Sequence, residues 1–163
     1  MMNSSQFSLL CFFLFFYTFP KQATSSSSPY GIFPGTYWCG LGNSAPDKAR
    51  LGISPFVDRC CRIHDQCPLW ILKLESRYGL FNSRFHTVSH CHCDEAFRNC
   101  LQMEGSETAI MVGEMFFNQL ASPCFVLENG QVCEERTWWG YCKKYSQTKV
   151  GKWKNPIPFE RTT

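Results

Sequence analysis

The chain has 163 residues and a formal net charge of +3, and 44% of its residues are hydrophobic. This length suits one domain with a modest core, and so mild a charge gives no reason to expect nucleic-acid binding. The chain also contains 11 cysteines. Whether they form disulfides or bind a metal depends on the compartment in which the protein folds.

An uncharged, mostly apolar run covers residues 9–19 near the N-terminus. The run is too short to span a bilayer as a helix, but it suits the core of a secretory signal peptide. Small residues at Ala23 and Ser25 follow it. The sequence therefore predicts a signal peptide over residues 1–25, a serine-rich spacer over residues 26–33 and a secreted, extracellular protein. Basic residues are missing before the run, and a buried N-terminal helix is the alternative.

Export would determine the state of the cysteines. Removal of residues 1–25 takes away Cys11 and leaves ten of the 11 cysteines. An even number in an exported chain predicts five disulfides. A cytosolic zinc cluster, with ligands from Cys60–Cys67 and Cys91–Cys93, is the alternative, and the predicted signal peptide argues against it.

A glycine-punctuated loop follows the spacer, in Tyr37–Asn43, with Cys39 able to tie it down. Glycines at positions 40 and 42 permit backbone angles that turn successive carbonyl groups toward one point. Carbonyl oxygens together with a carboxylate suit Ca²⁺. A Gly-x-Gly pair alone is more often an ordinary loop, so this prediction depends on what lies beside it.

Two later segments have the periodicity of amphipathic helices, from about Pro55 to Lys73 and from about Cys91 to Met103. Each contains two cysteines spaced by seven residues, which is close to two helical turns. Two antiparallel helices could therefore be joined in matching register by two disulfides, Cys60–Cys100 and Cys67–Cys93.

In this arrangement His64 lies between the two disulfides, and Asp94 falls within one turn of it. A histidine that acts as a base near neutral pH needs a carboxylate to orient it, so Asp94 is the predicted partner. Asp65 projects about 100° away from His64 around the helix. Its carboxylate is therefore free to bind something else, such as a cation at the glycine loop.

Together these motifs resemble the secreted phospholipase A2 family, in particular its bee-venom-like group III. They read Trp38-Cys39-Gly40-x-Gly42, Cys60-Cys61-x-x-His64-Asp65-x-Cys67 and Cys91-x-Cys93-Asp94. The resemblance implies a domain over residues 34–142, followed by a basic C-terminal tail over residues 143–163. It implies a small, mainly α, disulfide-rich fold: three helices, two of them antiparallel and catalytic, a calcium-binding loop and a short β-hairpin region. It further implies five disulfides: Cys39–Cys61, Cys60–Cys100, Cys67–Cys93, Cys91–Cys124 and Cys133–Cys142.

The same resemblance implies the chemistry. His64 would be the base that activates a water, oriented by Asp94, for attack on the sn-2 ester of a glycerophospholipid. The products would be a lysophospholipid and a free fatty acid. Ca²⁺ is the implied cofactor, and the Gly40 N–H is the implied second oxyanion donor. The implied Ca²⁺ ligands are the backbone carbonyls of Trp38, Gly40 and Gly42 and the carboxylate of Asp65.

One position departs from the family pattern. Group III enzymes have a tyrosine in the third helix whose hydroxyl bonds the buttressing aspartate, and Phe116 occupies that place here. Asp94 would lose a hydrogen bond, so weakened tuning is expected. A catalytically silent, disulfide-rich receptor ligand or toxin on the same scaffold is the alternative function.

The implied substrate lies in a bilayer, so the protein should bind a phospholipid surface peripherally, and a monomer is expected. Candidate membrane contacts are apolar residues near the start of the domain and after Cys67: Ile32, Phe33, Leu69 and Trp70. The lysine-rich tail could add attraction to anionic lipid or simply be a solvated tail.

Overall fold

The protein is described by a computed structural model that covers residues 31–161. The predicted signal peptide and most of the spacer lie outside the described residues. The helices are α1 (Pro55–Asp65), α2 (Cys91–Glu104), α3 (Glu107–Gly113) and a π-helix that continues α3 (Glu114–Leu120). The strands are β1 (Trp70–Ile71), β2 (Ser76–Arg77), β3 (Leu80–Phe81), β4 (Val88–Ser89), β5 (Cys124–Arg136) and β6 (Cys142–Lys154).

Helix α1 begins with Pro55, which has the backbone angle of a first helical residue and lacks only an N–H that would be unpaired there. It ends at Asp65, well before the predicted end at Lys73. The extension was wrong because Pro68 cannot donate a backbone hydrogen bond and pushes the residue before it away from the helical region. The chain turns instead into β1.

Helices α1 and α2 run antiparallel and are crosslinked. Cys60 of α1 is bonded to Cys100 near the end of α2, and Cys67, just after α1, is bonded to Cys93 near the start of α2. Both pairs are those that the spacing predicts. Between the helices lies the larger apolar core, which includes Val57 and Leu101, exposed by 1% and 0%. The three remaining disulfides are Cys39–Cys61, Cys91–Cys124 and Cys133–Cys142, so all five pairs are those that the resemblance implies.

The most extensive β structure is a two-stranded antiparallel hairpin, β5–β6, whose register runs from Cys124 opposite Lys154 to Arg136 opposite Cys142. Each strand has 13 residues. The expected short hairpin and mainly α fold therefore understate the β content, and the predicted tail is in fact strand β6 as far as Lys154. Its many lysines obscured it, because lysine is typical both of solvated tails and of exposed edge strands.

The segment after β6 returns to the helical core. Phe159 is 5% exposed and packs against Gly113, where an added Cβ would lie only 2.5 Å from the phenyl ring. The backbone N–H of Phe159 also donates to the Asn118 side chain at 2.8 Å. The folded unit thus reaches beyond Cys142 at one end. At the other it includes Ile32, which forms a β-bridge with Gly40.

Within residues 31–161, the helices are all too short or too polar to cross a lipid bilayer.

Candidate active site

His64 lies in the last turn of α1 and packs against two aromatic rings that also contact each other, 5.3 Å apart. Its imidazole stacks on Phe97 of α2 at 4.7 Å between ring centroids, and the edge of Phe116 meets it at 5.1 Å. The His64 side chain keeps 13% of its surface exposed. Packing against these two neighbouring rings therefore holds the imidazole while part of it remains accessible to solvent.

One edge of the imidazole faces two oxygen atoms. His64 Nε2 lies 2.7 Å from Asp94 Oδ1 and 3.1 Å from Ser89 Oγ. The Ser89 hydroxyl donates to the same Asp94 oxygen. Asp94 is 8% exposed and lies in the first turn of α2, where the helix dipole favours its negative charge.

This network fixes the tautomer of the ring. An ionised carboxylate only accepts hydrogen bonds, so the proton of a neutral His64 belongs on Nε2, where it donates to Asp94. The Nδ1 atom then carries a lone pair. Among the residues that the structure describes, Nδ1 has no hydrogen-bond partner. An accessible lone pair on a carboxylate-oriented imidazole is what a general base requires.

Ser89 was not found by sequence reasoning, because its position depends on tertiary structure. It lies at the end of β4, opposite Trp70 of β1, and β1 forms where α1 was expected to continue. A serine five residues before Asp94 has no local signal that links it to a histidine far upstream. The Ser89 hydroxyl supplies Asp94 with a donor, so the loss of a tyrosine at Phe116 does not leave the carboxylate without a hydroxyl partner.

The glycine loop presents a pattern of used and unused carbonyl groups. The Tyr37 and Cys39 carbonyls accept backbone N–H groups from Ser44 and Phe33, at 2.8 and 2.7 Å. Within the described part of the chain, the carbonyls of Trp38, Gly40 and Gly42 accept no hydrogen bond, and neither does that of Leu41. Gly42 has φ +80°, which other residues adopt only with strain. This donor set of unpaired backbone oxygens fits a hard cation such as Ca²⁺.

A second carboxylate, missed in the sequence, holds this loop to α1. Asp58 is fully buried, with 0% exposure. It accepts the backbone N–H groups of Tyr37 at 3.0 Å, Trp38 at 2.7 Å and Gly52 at 2.8 Å. A buried carboxylate with several such bonds is satisfied. Because Asp58 and His64 lie on one helix, Asp58 fixes the loop relative to the imidazole.

Asp65 follows His64 in α1 and is exposed. In the described residues its carboxylate has no ion-pair or hydrogen-bond partner. Nearby protein atoms displace water and raise the pKa of Asp65 to about 7; Asp58 adds to the rise and His64 opposes it. Water that reaches this exposed side chain should moderate the increase. A carboxylate without a protein partner is available to a cation.

The four expected membrane contacts do not form one exposed surface. Ile32 is buried, at 4% exposure, so the expectation that it contacts a membrane is wrong. Phe33 and Leu69 are partly buried against the two apolar cores. The Trp70 ring is covered by the Arg77 guanidinium, 4.5 Å from its centroid.

Known proteins share much of this sequence. The sequence profile of the family described as Phospholipase A2 matches residues 32–128. A group 3 secretory phospholipase A2 of Bos taurus is 48% identical over 128 residues, which are 78% of this chain and 24% of that protein. Phospholipase A2 isozymes PA3A/PA3B/PA5 of Heloderma suspectum are 43% identical over 129 residues, covering 79% of this chain and 90% of theirs.

A phospholipase A2 of Apis mellifera is 40% identical over 128 residues, which are 75% of this chain and 76% of that protein. The chain thus spans only 24% and 23% of its Bos taurus and Homo sapiens relatives, but most of its Heloderma and Apis relatives. The matched residues include the imidazole, both buried carboxylates and the glycine loop. The chain belongs to the phospholipase A2 family.

Proposed function

We propose that the chain is a secreted, Ca²⁺-dependent phospholipase A2 that hydrolyses the sn-2 ester of glycerophospholipids. The observation that carries this proposal is the His64–Asp94 pair at 2.7 Å, with the Nδ1 lone pair on the opposite edge of the ring. The family membership and the disulfide-rich fold support both the activity and the secretion.

His64 acts as the base. Its Nδ1 atom takes a proton from a water molecule as the water oxygen attacks the sn-2 carbonyl carbon. The ring becomes a cation, which the Asp94 carboxylate stabilises through Nε2. When the ester C–O bond breaks, the imidazolium returns the proton to the lysophospholipid alkoxide, and the fatty acid leaves. Neither a serine nor a cysteine nucleophile is needed.

The Ca²⁺ ligands in this proposal are the carbonyls of Trp38, Gly40 and Gly42 and the carboxylate of Asp65. When bound, Ca²⁺ supplies positive charge for the substrate phosphate and for the developing oxyanion. The Gly40 N–H donates to the same oxyanion. Asp58 keeps the loop in place beneath these groups, and Ser89 holds Asp94.

The catalytically silent alternative drew its support from Phe116. That argument is weaker now that the Ser89 hydroxyl bonds Asp94. The deciding experiment measures fatty-acid release from a phospholipid with radiolabelled acyl chains at sn-1 and sn-2, with Ca²⁺ and with EGTA. We expect release from sn-2 only, and only with Ca²⁺. Release from sn-1, or equal release in EGTA, would contradict the proposal.

A further inference from the structure

The end of the β5–β6 hairpin carries a group of exposed aromatic side chains. We call residues 136–142 the hairpin tip: the last residue of β5, the five connecting residues and the first residue of β6. Trp138 is 83% exposed, Trp139 is 70% exposed and Tyr141 is 77% exposed. The two indole rings lie 3.9 Å apart. Such a concentration of exposed aromatic surface, which water solvates poorly, indicates an interaction site.

The tip is built to hold these rings outward. The Cys133–Cys142 disulfide closes its base. The Thr137 N–H donates to the Tyr141 carbonyl at 2.8 Å, and the Tyr141 N–H donates to the Thr137 hydroxyl at 3.0 Å. Gly140 has φ +88°, which favours glycine. Because the backbone is already ordered, little conformational entropy remains to be lost when the aromatic rings are buried.

The shape and composition of the tip favour a lipid surface over a protein pocket. A hairpin end is convex, and a deformable bilayer can surround it. Indole and phenol rings with one polar atom prefer the headgroup boundary of a membrane. Purely aliphatic side chains, which would suit a dry protein interface, are missing between residues 136 and 142.

The charges near the tip are also compatible with lipid headgroups. Lys143 and Lys144 pair with Glu135 and Glu134, at 3.3 and 2.8 Å. Arg136 has no carboxylate partner in the described residues, and its guanidinium donates to the Gly140 carbonyl. The tip therefore keeps one positive charge without a carboxylate partner among the described residues. Its attraction for a membrane should depend more on the rings than on anionic lipid.

We propose that the hairpin tip inserts Trp138, Trp139 and Tyr141 into the headgroup region of a phospholipid bilayer and tethers the protein there. This inference rests on the proposed function, which requires a lipid surface. Strand β5 starts at Cys124, bonded to Cys91 at the beginning of α2. At about 3.3 Å per residue, a fully extended strand of this length would place the tip about 40 Å away. The tether thus acts at a distance from His64.

The test compares a double variant, Trp138→Ser with Trp139→Ser, with a matched control, Phe85→Ser, which removes another ring that is 83% exposed. Binding is measured by cosedimentation with vesicles of non-hydrolysable ether-linked phosphatidylcholine, with and without phosphatidylglycerol. We expect the double variant to bind at least about tenfold more weakly and the control to bind normally. Turnover of short-chain phospholipid dispersed below its micellar concentration should not change.

Equal vesicle binding by the double variant and the wild type would overturn the tether. So would a loss of self-association in sedimentation velocity with vesicle binding intact, because the tip would then contact a second copy. A variant that keeps the tip guards against misfolding: in Trp70→Phe with Trp153→Phe, brominated phospholipid should still quench indole fluorescence. Only Trp38, Trp138 and Trp139 remain in it, and the 6% exposed Trp38 cannot be the source. If the wild type hydrolyses no dispersed phospholipid yet binds vesicles through the tip, the enzyme proposal fails and the tether stands.

Discussion

The helical region and the β5–β6 hairpin are stabilised in different ways. The helices and glycine loop are joined by three disulfides, Cys39–Cys61, Cys60–Cys100 and Cys67–Cys93, and by two buried carboxylates that accept several hydrogen bonds. The base of the hairpin is anchored by the buried Phe125 and by Cys91–Cys124, but its outer part depends on a backbone ladder, one terminal disulfide and exposed ion pairs. Chemistry that needs fixed angles lies in the first region, whereas the second displays side chains to solvent. Substitutions should therefore have large effects on activity or stability in the helical region and small effects in the outer hairpin.

The largest effect is expected in the helical region at His64. His64→Gln keeps a donor toward Asp94 but removes the proposed base, so turnover of dispersed phospholipid should fall by about 10²–10⁴-fold. The melting temperature should fall only modestly, because glutamine loses the ring stacking on Phe97 but has a similar volume and still donates to Asp94. Initial rates at saturating Ca²⁺ measure the loss. If the variant retained more than about a tenth of the wild-type activity, His64 would not be the general base.

Asp58 and Asp65 lie on the same helix, one buried and one exposed, so the same substitution at both positions compares the effect of burial on stability. Asp58→Asn turns an amide group toward backbone N–H donors, and each buried donor left unpaired costs about 1–3 kcal/mol. We expect a clear fall in the free energy of unfolding, measured in urea. Asp65→Asn should leave that energy unchanged or slightly higher, because nearby protein atoms disfavour the ionised Asp65 carboxylate. Its Ca²⁺ affinity, measured by titration calorimetry, should collapse. Unchanged Ca²⁺ binding in the Asp65 variant would place the metal elsewhere.

The contribution of Ser89 should be smaller. Ser89→Ala removes a hydroxyl bonded to a carboxylate and should lower kcat by about tenfold, the rate equivalent of roughly 1.5 kcal/mol. KM should not change, since the hydroxyl orients Asp94 rather than touching substrate. Adding Phe116→Tyr should recover part of the rate if the new hydroxyl reaches Asp94. An unchanged kcat in the single variant would show that the Ser89 hydroxyl does not contribute to catalysis through Asp94.

The smallest effect is expected in the hairpin. Lys152 and Glu128 form a cross-strand ion pair at 2.6 Å, but both side chains are well exposed, at 62% and 41%. Exposed pairs of this kind contribute about 0–1 kcal/mol. Lys152→Met should therefore shift the melting temperature only slightly and leave turnover of dispersed substrate intact. A large loss of stability would show that the hairpin is not peripheral to the fold.

Sequence patterns predicted the crosslinked helices because spacing of seven residues and helical periodicity are local. They also brought His64 to Asp94, since the two disulfides fix the register. The end of α1 was predicted wrongly although Pro68 marks it, because the apolar run after Cys67 resembles helix core. Asp58 and Ser89 were missed for a different reason: their partners come from distant loops and strands, which only tertiary structure brings together.

Strand β6 illustrates a further limit. Its five lysines are spread along the segment and no long apolar stretch separates them, so the segment has the composition of a solvated tail. What makes it a strand is β5 beside it, with Glu128 and Glu134 opposite or next to lysines. Cross-strand pairs supply that stabilisation, and a single segment does not contain them.

The unused carbonyl groups of the glycine loop have a consequence for mutation. Oxygen atoms at Trp38, Gly40 and Gly42 belong to the backbone, so a substitution at any of the three positions leaves the oxygen itself in the chain. Drift could abolish such a cation site through the Asp65 carboxylate, through a change in loop shape or through the support at Asp58. A single-base change in these codons would thus weaken the proposed cation site only if it altered the shape of the loop, because it cannot remove a ligand oxygen.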